Sequence, residues 1–188
     1  MTQQADFPEK LRNMAMNPKN FLVTGPPGCG KSTVIEAVVR RINRPMTGFF
    51  TREIRERGRR RGFKIVTLAG KEGILARDNI TGSVRVGRYG VNLDDLERIA
   101  VPSMIPSQSD QMVVIDEIGK MECYSSLFRH TLVRTLDSPH LVIGSISQKG
   151  GLFIQEIKNR ADLSIHPISE RNRDTLPDLL AQLLLEAR

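Results

Sequence analysis

Tryptophan is absent from this chain of 188 residues, and tyrosine and cysteine occur twice each. Two thiols, Cys29 and Cys123, build no disulfide framework, so an apolar core must hold the fold and a reducing, cytoplasmic compartment is expected. No apolar run approaches the roughly 20 residues that cross a bilayer, and residues 1–18 hold none long enough for a signal peptide. No membrane association is expected. His130, His140 and His166 lack metal-ligand spacing, which argues against a histidine metal centre. There is no internal repeat and no low-complexity tract.

The length is that of one domain. Residues 1–18 are polar, carry two prolines and read as a poorly ordered tail, leaving 19–188 as a single domain, expected to be a monomer. Lysine and arginine number 28 against 21 acidic residues, and the resulting +7 attracts nucleotides and nucleic acids alike.

Gly25-Pro26-Pro27-Gly28-Cys29-Gly30-Lys31-Ser32 matches the phosphate-binding loop G-x-x-x-x-G-K-[ST]. Its glycines let the backbone curl around a phosphate and aim N–H groups at the anion, an approach that side chains would obstruct. Lys31 would place its ammonium between the β- and γ-phosphates, Ser32 would offer a hydroxyl to a bridging Mg²⁺, and Thr33 extends the helix start. The flanks agree, with a short apolar strand over 20–24 before the loop and Val34, Ile35, Val38 and Ile42 at helical spacing after it. The partial positive charge of that helix N-terminus falls on the phosphate site. Nucleoside-triphosphate binding is the expectation.

A continuous apolar run over 111–115, the mark of a strand buried on both faces, ends in Asp116-Glu117. Alone, such a pair reads equally as an ordinary strand end. Downstream of a phosphate loop it reads as the second half of one site, with Asp116 holding Mg²⁺ opposite Ser32 and Glu117 polarising a water for in-line attack. Asp116, Glu117, Ile118, Gly119 and Lys120 are then expected nucleotide neighbours. Lys120 either stabilises developing charge or is a solvated lysine, and Glu122 reads as a structural partner of the following helix.

Elsewhere, 46–54 and 62–68 read as a hairpin and 74–75 as a third short strand, followed by a loop and edge strand over 80–92 and a capped helix over 92–100. Helices are expected over 125–136 and 152–159, and strands over 140–146 and 163–168. Leu176, Leu179, Leu180, Leu183 and Leu184 form one apolar helical face. Alternating strands and helices predict an α/β fold, a doubly wound, mostly parallel sheet with helices on both faces, an added β-hairpin, and its ligand at the carboxyl ends of the strands.

The loop 25–33, Gly48-Phe-Phe-Thr-Arg-Glu-Ile-Arg, Arg61-Gly-Phe, Val114-Ile-Asp-Glu-Ile-Gly-Lys-Met-Glu122, Glu156-Ile-Lys and Glu170-Arg-Asn-Arg-Asp174 together resemble the small nucleoside-triphosphatases of thermophilic archaea and bacteria and the vertebrate cancer-related nucleoside-triphosphatases. The resemblance covers about residues 20–185, and Asp-Glu-Ile-Gly-Lys-Met-Glu is its most specific part. It implies a RecA-like P-loop fold and slow, Mg²⁺-dependent hydrolysis of ATP, GTP, CTP and UTP. By matching positions, the loop residues and Asp116 to Lys120 then carry nucleotide and metal, with Glu117 as base; with the lysines read from the loop and the strand end, the expected catalytic set is Glu117, Lys31 and Lys120. Gln148 and Lys149 stand where the family would carry a more basic loop.

Arg55 to Arg61 holds five arginines in seven residues at an expected turn, which reads as an RNA contact, a basic lid or a solvated tip. An arginine of this hairpin, Arg52 included, is a candidate finger on the γ-phosphate. Arg173 either contacts the base or lies in a loop capped by Asn172 or Asp174, and Cys29 reads as an inert thiol. Two other activities stay open: a nucleoside or small-molecule kinase, and a nucleotide-switched RNA-binding protein.

Overall fold

The computed structural model describes residues 18–187, so the tail expected over 1–18 lies outside the described residues save for Pro18. Nine strands share one sheet: β1 (Asn20–Gly25), β2 (Met46–Glu56), β3 (Arg59–Thr67), β4 (Glu72–Arg77), β5 (Arg85–Val86), β6 (Tyr89–Val91), β7 (Met112–Ile118), β8 (Val142–Ser147) and β9 (Leu163–Pro167). Their order is β5-β6-β4-β3-β2-β7-β8-β1-β9. β2, β7, β8, β1 and β9 run parallel, and β3, β4, β6 and β5 extend the sheet antiparallel from β2.

Successive residues of a strand face opposite sides, and the parallel strands use that alternation to feed two cores. Phe21, Val23, Val114 and Ile143 pack on one face beneath α1 (Lys31–Arg41) and α5 (Leu176–Glu186), whose Val34, Val38, Leu180 and Leu184 meet them. Leu22, Val113, Ile115 and Val142 pack on the other with a helical segment over 93–103 (α2), α3 (Ser126–Asp137) and α4 (Leu152–Lys158). Helices on both faces of a mixed sheet make this the expected α/β, P-loop type of fold. Asn92 caps α2 by accepting a hydrogen bond from the Asp95 N–H, and Ser125 caps α3 through the Phe128 N–H at 3.0 Å.

The expected hairpin is the beginning of a larger antiparallel wing, because 72–77 and 85–91 add further strands to it. The charged turn expected over Arg55 to Arg61 shrinks to Arg57 and Gly58, both at positive φ (48° and 77°), and the flanking arginines lie in β2 and β3. Two left-handed residues match the right-handed twist of the paired strands, and cross-strand ion pairs such as Glu53–Arg60 at 2.7 Å keep the arginines in the ladder. Where β2 meets β7, Gly48 has φ +120°, and a Cβ there would lie 1.9 Å from the carbonyl oxygen of Val114. The wing is thus seamed to the parallel sheet with no room for a methyl group.

Gly48→Ala is expected to abolish folding or lower Tm by more than 10 °C, because strain and a backbone clash coincide. Gly70→Ala, at φ +82° in open space, is expected to cost about 1 kcal/mol and only a few degrees. Thermal denaturation of the two variants checks the contrast.

Candidate active site

β1 delivers the loop and α1 receives it. A Cβ on Gly25 would lie 2.6 Å from the Ile168 side chain and 2.9 Å from the Cys29 sulfur, so only glycine lets the chain after β9 pack against the loop. Gly28 and Gly30 take positive φ. Gly30 caps α1 without a side chain, and the first turn of α1 has no acidic residue, so nothing on the helix offsets its N-terminal N–H groups. Lys31 is buried: its Nζ donates to the carbonyls of Gly25 (3.3 Å) and Pro26 (3.4 Å) and stands 3.8 Å from Glu117 Oε2.

β7 runs on to Ile118 where the sequence suggested an end at Asp116-Glu117, so both acidic residues lie within the strand. Asp116 is 1% exposed. Its Oδ1 accepts a hydrogen bond from the Ser145 hydroxyl, and its Oδ2 is buried without a partner. Burial pushes this carboxyl above its ordinary range, and the Ser145 and Ser32 hydroxyls and the Arg52 charge pull it back. Glu117 is part-exposed, and its Oε1 accepts from the Ser147 hydroxyl at 2.6 Å. β8 lies between β1 and β7, so its alternate serines reach the two acidic residues of one neighbour while its other edge pairs with the loop strand.

Glu122 is buried behind this pair. Burial first, then the Glu117 charge, push it up to about 8, against the pull of the Glu122 and Gly119 backbone N–H groups. A Cβ on Gly119 would lie 2.8 Å from Glu122 Oε2 and 3.3 Å from Ser147 Oγ, so the glycine is needed for the turn to close over both. The sequence reads Glu122 as a partner of the following helix; Ser125 caps that helix instead, and the buried Glu122 carboxyl lies against Gly119.

Among the described residues no group of three or more His, Cys, Asp or Glu is arranged to hold a metal, and no helix is long and apolar enough to cross a membrane. A divalent ion here would rest on one carboxylate, one hydroxyl and the ligand's own phosphates, the way Mg²⁺ is usually held. The Asp116 carboxyl, with Oδ2 unpartnered and the Ser32 hydroxyl among its neighbours, fits that donor set.

A family model described as NTPase matches residues 20–181. The chain belongs to this NTPase family. It is 44% identical over 165 residues to the nucleoside-triphosphatase THEP1 of Thermotoga sp. (strain RQ2), covering 87% of this chain and 94% of that one. It is 37% identical over 182 residues to the human cancer-related nucleoside-triphosphatase, covering 86% and 95%. The crystal structure of THEP1 from Aquifex aeolicus shares the fold with a TM-score of 0.80 at 31% identity, covering 88% of this chain and 98% of that one.

In this NTPase the expected residues do not all gather equally. Lys31, Asp116 and Glu117 converge, with Ser32 at the Asp116 carboxyl. Pro26, Pro27, Gly28 and Thr33 are exposed around them, and Cys29 is a half-buried free thiol. The Ile118 side chain lies wholly in the core, leaving only its backbone to meet a ligand. Lys120 is exposed on the rim. Arg173 is exposed on the loop after β9, 3.9 Å from Asp174, and Asn172 orders that loop by accepting from the Ser169 N–H at 2.7 Å and donating to the Pro167 carbonyl. Arg52 sits two residues past Phe50, the register partner of Asp116; it pairs with Glu36 of α1 at 2.7 Å and lies over the Phe50 ring. The sequence reading missed Ser145 as a partner of Asp116 and Glu36 as the holder of Arg52. Ser145 and Ser147 alternate along an apolar strand, a pattern that becomes informative only once β8 is known to neighbour β7.

Between about pH 4.5 and about 8 the unfolded chain has released the Glu122 proton and the folded protein still holds it, so stability falls as pH rises through that window. Glu122→Gln keeps an acceptor for the Gly119 N–H and is expected to flatten the fall. Tm measured from pH 5 to 8 checks it: an unchanged slope would mean that Glu122 is ionised in the folded protein.

Proposed function

We propose that this chain hydrolyses nucleoside triphosphates to diphosphate and phosphate, accepting ATP, GTP, CTP and UTP, in a reducing, cytoplasmic setting. The observation that carries the reading is the convergence of a buried lysine and two strand-borne carboxylates at one sheet edge, with Lys31 Nζ 3.8 Å from Glu117 and Asp116 Oδ2 left without a partner. The loop N–H groups and the start of α1 bind the phosphates, and Lys31 binds between β and γ. Ser147 holds one oxygen of Glu117, which orients the other to take a proton from a water in line with the γ-phosphate. Ser32 and Asp116 are the residues that would hold Mg²⁺, which when bound neutralises charge on the phosphate oxygens. Lys120, on the rim, adds a cation to that edge. Arg173, exposed on the loop after β9, offers a guanidinium face that suits any base, which supports broad base tolerance.

Glu117→Gln is expected to lower kcat at least 100-fold while nucleotide affinity stays within about threefold, because only the proton acceptor is removed. Phosphate release from the four nucleotides with Mg²⁺, beside titration of a fluorescent analogue, checks both halves. Turnover near wild type would remove Glu117 from the mechanism, and consumption that depends on an added nucleoside or small alcohol would make the enzyme a kinase.

Lys31→Ala is expected to weaken nucleotide binding at least tenfold and to reduce turnover with it. The same titration reads it, and unchanged affinity would sink the assignment of the loop.

A further inference from the structure

The antiparallel wing carries the whole net charge of the chain. Residues 52–91 hold eleven arginines and lysines against four acidic residues, and the rest of the sequence holds 17 of each. The four wing carboxylates are engaged within the wing: Glu53 by Arg55 and Arg60, Glu56 by Arg61 and Arg77, Glu72 by Lys64 and Asp78 by Arg61. Arg57, Arg59, Arg85 and Arg88 are exposed and, among the described residues, have no carboxylate in ion-pair range.

The topology puts these four on one edge. β2 passes Asp116 at Phe50 and runs six residues further to Glu56, so the Arg57–Gly58 turn stands roughly 20 Å beyond the carboxyl edge of the parallel sheet. β4 ends at Arg77 opposite Gly62, and β6 leaves the Gly87–Arg88 turn at that same end. Side chains tie the two turns together: Arg88 donates to the Arg60 carbonyl and lies over the Tyr89 ring, and Arg60 Nε donates to the Tyr89 hydroxyl at 3.2 Å. Arg85 donates to the carbonyls of Ile80 (3.1 Å) and Arg88 (2.6 Å). Each guanidinium has five N–H donors, so these bonds fix the two arginines and leave donors for an anion.

We propose that this edge binds the phosphodiester backbone of duplex nucleic acid, at a site separate from the nucleotide site and without reading sequence. Its distance from Asp116 separates it from a triphosphate on the loop. The exposed large apolar side chains, Leu68, Ile105, Tyr124, Leu127, Leu152, Leu179 and Leu185, lie away from it, so it lacks the apolar anchor on which protein partners depend. Phosphate contacts need only the guanidinium. Phe63 and Tyr89 pack edge to face at 5.4 Å and Tyr89 is buried, so the wing offers unstacked bases no platform and favours a duplex. Of the arginines first suggested by the sequence, Arg57 and Arg59 belong to the site, whereas Arg55, Arg60 and Arg61 serve the wing's own ion pairs.

The test is fluorescence anisotropy of the full chain with a labelled 20-base-pair RNA duplex, the DNA duplex and the single-stranded RNA of the same sequence, from 50 to 200 mM KCl. Expected are micromolar binding of both duplexes at 50 mM, weaker binding of the single strand, and a log–log salt slope of about −3 to −4 for four arginines. The quadruple variant R57A/R59A/R85A/R88A is expected to bind at least tenfold more weakly with a slope near zero, with ATP hydrolysis unchanged. R57A/R59A, which leaves the Arg85–Arg88 bonds intact, is expected to halve the slope and guards against misfolding. Arg171→Ala, an exposed arginine elsewhere, is expected to change nothing. Binding of the quadruple variant within twofold of wild type, no binding of either duplex at 50 mM, or tighter binding of the single strand would overturn the proposal.

Discussion

A carboxylate set within a strand that is buried almost throughout is the constraint on which the rest of this structure depends. Asp116 is carried into the interior by four apolar neighbours in β7, and an ion there is tolerated only if hydroxyls, a cation or a metal meet it. β8 answers with Ser145, α1 with Ser32, and β2 brings the Arg52 charge near. Each lies on a different element, so surrounding one carboxyl fixes the relation of three strands and a helix. The same buried edge then has no room for Cβ atoms at Gly25 or Gly119, which explains why glycines border the site on both sides.

Much of this was legible in the chain, for identifiable reasons. The loop 25–32 specifies itself, since phosphate binding demands particular residues at particular spacings. The buried strands announced themselves as unbroken apolar runs, and α5 by its leucine stripe. What stayed hidden depends on partners remote in sequence. A residue such as Ser145 looks like any strand serine until β8 is known to lie beside β7. Arg55, Arg60 and Arg61 read as part of an open turn because the strand pairing that sets Glu53, Glu56 and Asp78 beside them was not yet known, and Glu122 looked like a helix partner because its burial comes from tertiary packing.

The wing illustrates how a nucleotide-binding scaffold gains surface without disturbing its site. Antiparallel strands need only short turns, so β3 to β6 add a charged plane in fewer than forty residues while the parallel half keeps its crossovers. Tight seaming at Gly48 means that the plane moves with β7, the strand that bears both carboxylates.

Lys31 has a consequence of a different kind. One ammonium is shared between the loop's own carbonyls and the Glu117 carboxylate, so a single side chain ties the loop to β7. Because β8 separates β1 from β7 in the sheet, that ammonium spans a strand across which the two share no backbone hydrogen bonds. An anion received by the loop meets a cation already tethered at both ends, whose rotamer entropy folding has already removed.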